Sequence, residues 1–283
     1  MTIVNLKNNA GLPPASGSCI NMRSEKVFDS LELREKLIEK LQRMKVKRSE
    51  DLQVFGEVFN VEVLMQLYDL LRKGFLKEFN GEISSGKESK VYHAIAKGNI
   101  EVAVKIYLTV NTEIRRMMLK YIIGDRRFEK VKGDSRSLVY TWARKEYANL
   151  STMHEAGLSV PKPMLVRKNI LVMSFIGENG QRAPLLRELD KLKNPGETYR
   201  EIISFIVKSR DKAGLVHADL SEYNVMIWNE KPFIIDLSQA VPVTHPLAGE
   251  FLRRDIENIN RFFMRRGWVD ETISVEEVVG RIG

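Results

Sequence analysis

His217-Ala-Asp-Leu-Ser-Glu-Tyr-Asn224, followed by Ile234-Ile-Asp236, decides the reading of this chain. The stretch supplies an acid able to handle a nucleophile's proton, Asp219, and two hard oxygen donors for a divalent cation, Asn224 and Asp236. Two helical turns could not gather positions 219, 224 and 236, whereas a loop followed by a returning hairpin can. The spacing H-x-D-L-x-x-x-N fixes four residue types. At about 1/20 per position, roughly one random chain of this length in several hundred would match it. A second pattern, Val102-Ala-Val-Lys105, makes coincidence a poor explanation.

Together the two patterns resemble the catalytic loop and third-strand lysine of protein kinases. Val102, Val104, Ile106 and Leu108 alternate on one strand face, and Ala103 and Lys105 share the other. Lys105 is placed to hold the α- and β-phosphates of a nucleotide. It needs an acidic partner. Trp142, Glu146, Leu150 and Met153 fall on one helical face, and a carboxylate in an apolar stripe is costly unless paired, which selects Glu146. The alternative for Glu146 is an exposed surface pair with Lys145. His217 reads as a packed residue of the loop, not as a general base. No G-x-G-x-x-G precedes Lys105. In its place stands Ser84-Ser-Gly-Lys-Glu-Ser-Lys-Val91, which also fails the Walker A spacing. Gly86 lets backbone approach phosphate, while Ser84, Ser85 and Lys87 offer donors.

The composition is that of a soluble protein with a real core: 283 residues, 43% apolar. No run approaches the ~18 apolar residues of a membrane span, and no apolar signal-peptide core opens the chain. The single cysteine, Cys19, cannot form an internal disulfide, which fits a reducing cytoplasm. Four histidines without HExxH spacing argue against a zinc enzyme. The net charge is +8. Such a charge serves contact with polyanions such as RNA or plain solubility. Its clearest local source is residues 113–136, where Arg115, Arg116, Lys120, Arg126, Arg127, Lys130, Lys132 and Arg136 outnumber four acids.

Residues 1–24, rich in Asn, Pro, Gly and Ser, read as a flexible tail. Residues 25–76 read as a helical extension, with amphipathic stretches at Asp29–Lys47 and Val61–Arg72 and a stop at Gly74. Phe79–Leu108 reads as a three-stranded antiparallel meander with a turn at Lys97-Gly98-Asn99. After the basic stretch a helix is expected over Ser137–Ala156, with Gly157 just past its end. Strands at 164–167 and 170–175, a helix at Glu197–Ala213, a hairpin of Val225–Trp228 with Phe233–Asp236, and a helix over Pro246–Arg266 complete the pattern. The fold class is therefore α+β and bilobal, with an N-lobe over 77–173, a C-lobe over 174–283 and nucleotide in the cleft between them.

The motif variants are similar to those of the RIO family of atypical serine/threonine protein kinases, over roughly residues 50–266. S-S-G-K-E-S-K-V resembles its modified phosphate loop, H-A-D-L-S-E-Y-N its catalytic loop, with Ser221 where ordinary kinases carry lysine, and I-I-D-L-S-Q-A its replacement for Asp-Phe-Gly. The wording Asp-Leu-Ser-Glu-Tyr-Asn, and the absence of a winged-helix pattern upstream, resemble the type 1, archaeal-like subgroup. The resemblance implies a minimal C-lobe without the peptide-docking subdomains, since no Ala-Pro-Glu segment follows Asp236, and a structureless, flexible loop over the basic residues, about 109–136, before the helix that carries Glu146. It implies catalytic roles for Lys105, Glu146, Asp219 and Asp236, and magnesium held by Asn224 and Asp236, with Mn²⁺ as an alternative ion. It further implies ATP with adenine between Val91 and Ala103 on one side and Met226 on the other, Met173 behind, and the backbones of Ser174 and Ile176 at its edge. Ser174 departs from the acidic residue common there. The implied activity is an autophosphorylating serine/threonine kinase and ATPase of small-ribosomal-subunit maturation, in the cytoplasm. Its partners would be the pre-small subunit, its RNA or its proteins, with no DNA and no membrane. Asp236 would also accept phosphate transiently as an aspartyl-phosphate. An ATP-switched assembly factor with little kinase activity toward other proteins is the alternative from a different class. A small-molecule phosphotransferase, which would need a larger C-terminal half, is the third.

Overall fold

A computed structural model describes residues 35, 36, 39, 60–108, 111–128 and 134–280. The expected tail over 1–24 and the helix over Asp29–Lys47 lie outside these, apart from Glu35, Lys36 and Glu39, which are helical. Helix α1 (Val61–Arg72) starts where Asn60 Oδ1 accepts the Val63 N–H at 3.0 Å. It ends in a Schellman turn: Phe75 N–H reaches Leu70 O, Gly74 N–H reaches Leu71 O, and Gly74 takes φ +69°. Strands β1 (Leu76–Ser85), β2 (Ser89–Ala96) and β3 (Ile100–Tyr107) follow as the expected meander. Gly98 and Asn99 both adopt positive φ, 85° and 60°, which a tight hairpin of this hand requires.

Helix α2 (Thr112–Ile122) and helix α3 (Ser135–Glu155) separate β3 from β4 (Pro163–Arg167) and β5 (Ile170–Ser174). The five strands form one antiparallel sheet in the order β1-β2-β3-β5-β4. Strand β3 is covered on both faces. Val102, Val104 and Ile106 share a core with Leu64 and Leu67 of α1, whereas Ala103 and Tyr107 join the larger core that contains Trp142 of α3. Lys105 lies between Ala103 and Tyr107 on that second face and is 5% exposed.

The structure corrects the structureless loop expected over 109–136. Helix α2 occupies much of it, capped by Asn111 Oδ1 on the Ile114 N–H at 2.9 Å. Ile114, Met117, Met118, Tyr121 and Ile122 recur at helical spacing beneath the basic residues, and Met118, Tyr121 and Ile122 are buried. The Tyr121 ring lies 6.2 Å from Trp142 and 5.2 Å from Phe251. The density of charge had hidden that stripe.

The short β6 (Gly177–Glu178) and β7 (Gln181–Arg182) pair as a hairpin that the sequence patterns did not suggest. Helix α4 (Pro195–Ala213) ends at Gly214, φ +63°. Strands β8 (Leu215–Val216) and β11 (Val241–Pro242) pair around the hairpin of β9 (Val225–Trp228) and β10 (Lys231–Ile234). Because β10 ends at Ile234, Asp236 lies beyond the strand and not within it. Helix α5 (Ala248–Arg265) buries Phe251, Ile256, Ile259 and Phe263, and α6 (Val275–Gly280) packs beside α4 and α5. The architecture is the bilobal, kinase-like α+β fold. No helix among the described residues is long and apolar enough to cross a membrane.

Candidate active site

A cavity of about 330 Å³ lies where the two lobes meet. The sheet contributes Val91, Ala103, Met173 and Ser174, the second lobe Met226 and Ile235, and the connection between them Ile176. Lys105, Asn224 and Asp236 bring polar atoms, while Ser84 comes from the end of β1 and Gly86 from the turn after it. Ser85 and Lys87, expected among the phosphate donors, do not line the cavity and are exposed. Strand β1 runs on to Ser85, and Gly86 N–H closes the turn on Ser89 O at 2.9 Å, leaving Lys87 at its tip.

Lys105 Nζ donates to Glu146 Oε1 and to Asp236 Oδ1, both at 2.9 Å. Glu146 is fully buried on α3, and its second oxygen accepts from Tyr107 OH. Burial acts to discharge Lys105, but the Asp236 and Glu146 carboxylates outweigh it and hold its pKa above the ordinary lysine range. Burial pushes Glu146 up, and Lys105 opposes that rise. Asp236 shows the reverse balance. Burial would raise it, yet Lys105 and the Ser238 hydroxyl, which donates at 2.8 Å, bring it down to about 2. Its side chain keeps 46% exposure, toward the cleft.

The loop carrying Asp219 is bent by Ala218, whose φ of +68° is costly for a residue with a Cβ. The bend is held from α5. Asp255, 1% exposed, accepts the Ala218 N–H at 2.8 Å and the Leu220 N–H at 2.9 Å, while Arg254 donates to Ala218 O. Asp219 therefore sits between two pinned amides. Burial and then the Asp236 charge raise its pKa to about 6. Gln239 Nε2 donates to its Oδ2 at 3.0 Å. His217 is buried, its Nε2 lies 3.2 Å from Ile235 O, and burial lowers it to about 4, as suits a neutral packing residue. Asn224 spends its amide N–H on Asp219 O at 2.7 Å, so its carbonyl oxygen is the atom it can offer a cation.

Several residues with a part in the site were not singled out in the sequence. Glu88 lies in the quoted turn, and burial followed by the Asp236 charge raises it to about 7. Asp255 is a carboxylate inside the apolar stripe Phe251-Ile256-Ile259, the same signal that exposes Glu146. Ser238 and Gln239 stand in the quoted segment after Asp236. Lys145, read as the surface alternative for pairing with Glu146, is instead wholly buried and donates to Ser238 O and Ala240 O.

No group of three or more His, Cys, Asp or Glu among the described residues is arranged to hold a metal alone. What the cleft offers is one amide oxygen and one carboxylate, with Lys105 and Ser238 both addressing Asp236 Oδ1 and so leaving Oδ2. That partial set fits magnesium, which completes its octahedron with phosphate oxygens and water.

A family model described as the RIO domain matches residues 90–278. The chain is 42% identical over 225 residues to a RIO-type serine/threonine-protein kinase Rio1 of Haloferax volcanii, covering 80% of this chain and 77% of that one. It is 39% identical over 224 residues to the human serine/threonine-protein kinase RIO1, covering 78% of this chain but only 39% of the human protein. Among solved structures, the Rio2 kinase of Chaetomium thermophilum, in an ADP/Mg²⁺-phosphoaspartate complex, superposes with a TM-score of 0.61 at 23% identity over 81% of this chain and 67% of that one. At that identity the likeness speaks for the fold. Cleft, motifs and relatives agree, and the chain, whose two relatives above are both named Rio1, belongs to the RIO family of serine/threonine-protein kinases.

Proposed function

We propose that the cleft binds ATP with Mg²⁺ and transfers its γ-phosphoryl group to a serine or threonine hydroxyl. The observation that carries this reading is Lys105 Nζ at 2.9 Å from both Glu146 and Asp236, in a cavity that Asn224 also lines. Lys105 holds the α- and β-phosphates and Glu146 holds Lys105. Asp219 takes the hydroxyl proton as the oxygen attacks phosphorus. Asn224 and Asp236 hold the metal, which when bound neutralises charge on the phosphate oxygens. Val91, Ala103, Met173 and Met226 supply the apolar walls for adenine, and Ser174 and Ile176 its backbone edge.

A Rio2 relative was solved as a phosphoaspartate complex. By analogy Asp236 is the acceptor of a transient phosphoryl group here: its carboxylate oxygen bonds to the γ-phosphorus, ADP leaves, and water later releases phosphate. ATPase turnover, autophosphorylation and service to small-subunit maturation in the cytoplasm belong to the same reading. A second reading, an ATP-switched assembly factor, is favoured by α2, which carries Arg115, Arg116 and Lys120 and packs on the second lobe through Tyr121 against Phe251. It expects salt-sensitive RNA association that changes with nucleotide.

Incubation with γ-labelled ATP separates these. Acid-stable label on protein indicates serine or threonine transfer, and hydroxylamine-labile label that disappears in Asp236→Asn indicates the aspartyl route. Absence of ATP uptake in a calorimetric titration refutes the proposal.

A further inference from the structure

A buried polar strut joins the basic segment to the residues just after Asp236. Asp236 has φ +59°, so the chain turns sharply there and directs the carbonyls of Leu237, Ser238 and Ala240 onto α3. Asn149 Nδ2 donates to Leu237 O at 2.8 Å and to Ala240 O at 2.9 Å. Lys145 Nζ, one turn earlier on the helix, donates to Ser238 O at 3.1 Å and also to Ala240 O. Both side chains are 0% exposed. The other atom of the Asn149 amide looks the opposite way: Oδ1 accepts Arg127 Nη2 at 2.8 Å. Arg127 in turn grips the fully buried Asp125, Nε to Oδ1 at 2.9 Å and Nη2 to Oδ2 at 2.8 Å. The turn that carries both follows α2 and is tied to the second lobe by a His245 Nε2 contact with Ile123 O at 2.8 Å.

We infer that Asn149 and Lys145 are positioning residues for Asp236, and that Arg127 makes their hold depend on the basic segment staying packed. The inference rests on the magnesium–ATP reading of Asp236. A residue that only filled space at 145 or 149 would not need to place two hydrogen bonds on one short loop, as both side chains do, and a buried polar group left unpaired is costly. If the Arg127 side chain leaves, Asn149 Oδ1 loses its partner and Asp125 keeps only the Arg127 backbone N–H, at 3.2 Å. The amide is then free to rotate, and two of the bonds that restrain the loop weaken. The carboxylate of Asp236 shifts with it, because Ser238 Oγ ties the two together at 2.8 Å.

The test uses the full chain with Arg127→Met, Arg127→Lys, Asn149→Leu and Lys145→Met. Fluorescent ADP is titrated without metal and then across a Mg²⁺ series. Amide hydrogen exchange at Ala240, whose N–H bonds Leu237 O at 3.2 Å, is followed in nucleotide-free protein. Removing a partner that orients a metal ligand commonly costs about 10- to 100-fold in metal affinity. Arg127→Met should therefore raise the Mg²⁺ needed for half-saturation about tenfold or more, leave metal-free ADP affinity unchanged, and speed exchange at Ala240. Arg127→Lys should recover part of both effects. Arg127 is partly solvent-exposed, so its variants carry the test even if Lys145→Met does not fold. Wild-type metal dependence together with wild-type exchange in Arg127→Met overturns the inference. Wild-type protein that takes up no ADP sinks the magnesium–ATP reading instead, and exchange at Ala240 still decides whether the strut holds the loop.

Discussion

Replacing Asp255 by asparagine tests whether α5 holds the catalytic loop. The carboxylate receives two backbone amides, Ala218 N–H on Oδ2 at 2.8 Å and Leu220 N–H on Oδ1 at 2.9 Å. Asparagine can keep one of these, but its NH₂ then faces the other amide, donor against donor. The loss is one hydrogen bond to a charged acceptor, about 1.5–3 kcal/mol, and one buried donor without a partner, about 1–3 kcal/mol. The two overlap, so the expected destabilisation is about 2–4 kcal/mol. For a folded unit of this size each kcal/mol lowers Tm by about 2–4 °C, which gives roughly 5–15 °C. Burial lifts Asp255 to about 7 against its two backbone donors, so the melt belongs at about pH 8, where the carboxylate is ionised. Activity should fall as well. Ala218 is held at φ +68° at a cost of about 1–3 kcal/mol, and a weakened grip lets the bend relax and carries Asp219 out of line. Displacement of a reacting group by about 1 Å can cost about 100-fold, so single-turnover phosphoryl transfer should slow by about 10- to 100-fold at a temperature well below both melting points. Asp255→Asn with the wild-type Tm and the wild-type rate would refute the claim that this carboxylate shapes the loop.

Lys105→Ala and Asp219→Ala should each lower ATP turnover by about 10²–10³-fold, checked by phosphate release, with full activity in either removing the assignment. In Lys105→Ala the buried Glu146 also loses its cation, so that variant should melt earlier than Asp219→Ala in the same calorimetric run. The pH dependence has a defined sign. Asp219 must be ionised to accept a proton, and its pKa is raised to about 6, so kcat/KM should climb about tenfold per pH unit below 6 and level above it. Glu88, raised to about 7, is the rival source of that limb, and a profile that flattens in Glu88→Gln would transfer the titration to Glu88. Met118 is 0% exposed beneath the basic face of α2, so Met118→Ala should cost about 2–5 kcal/mol in urea denaturation, whereas a structureless loop there would leave stability unchanged.

The uneven legibility of this chain has a physical origin. Lys105 and Glu146 stood out because each is a charge inside an apolar pattern, and such a charge demands a partner. The meander was readable from the hairpin signal Lys97-Gly98-Asn99 and from alternation in its third strand, whereas a turn expected over Gly81–Gly86 is strand as far as Ser85. Helix α2 obeys an equally good pattern at Ile114, Met117, Met118, Tyr121 and Ile122, yet its cationic residues drew attention to the surface they make and away from the stripe they flank. Helix α3 poses a harder case. It is covered on more than one side, with Trp142, Glu146 and Leu150 buried and Leu138, Lys145 and Asn149 buried too, so the contrast that marks an inward face is absent. Lys145 beside Glu146 then looks like a surface pair, although each lies in the interior and bonds elsewhere. The acceptors that Lys145 and Asn149 donate to are main-chain carbonyls of residues 237, 238 and 240. Every residue carries such a carbonyl, so no side-chain type at those positions could announce the contact. Only the positive φ at Asp236, which turns the carbonyls onto one helix, makes them a binding surface, and an aspartate, unlike glycine, does not advertise that conformation.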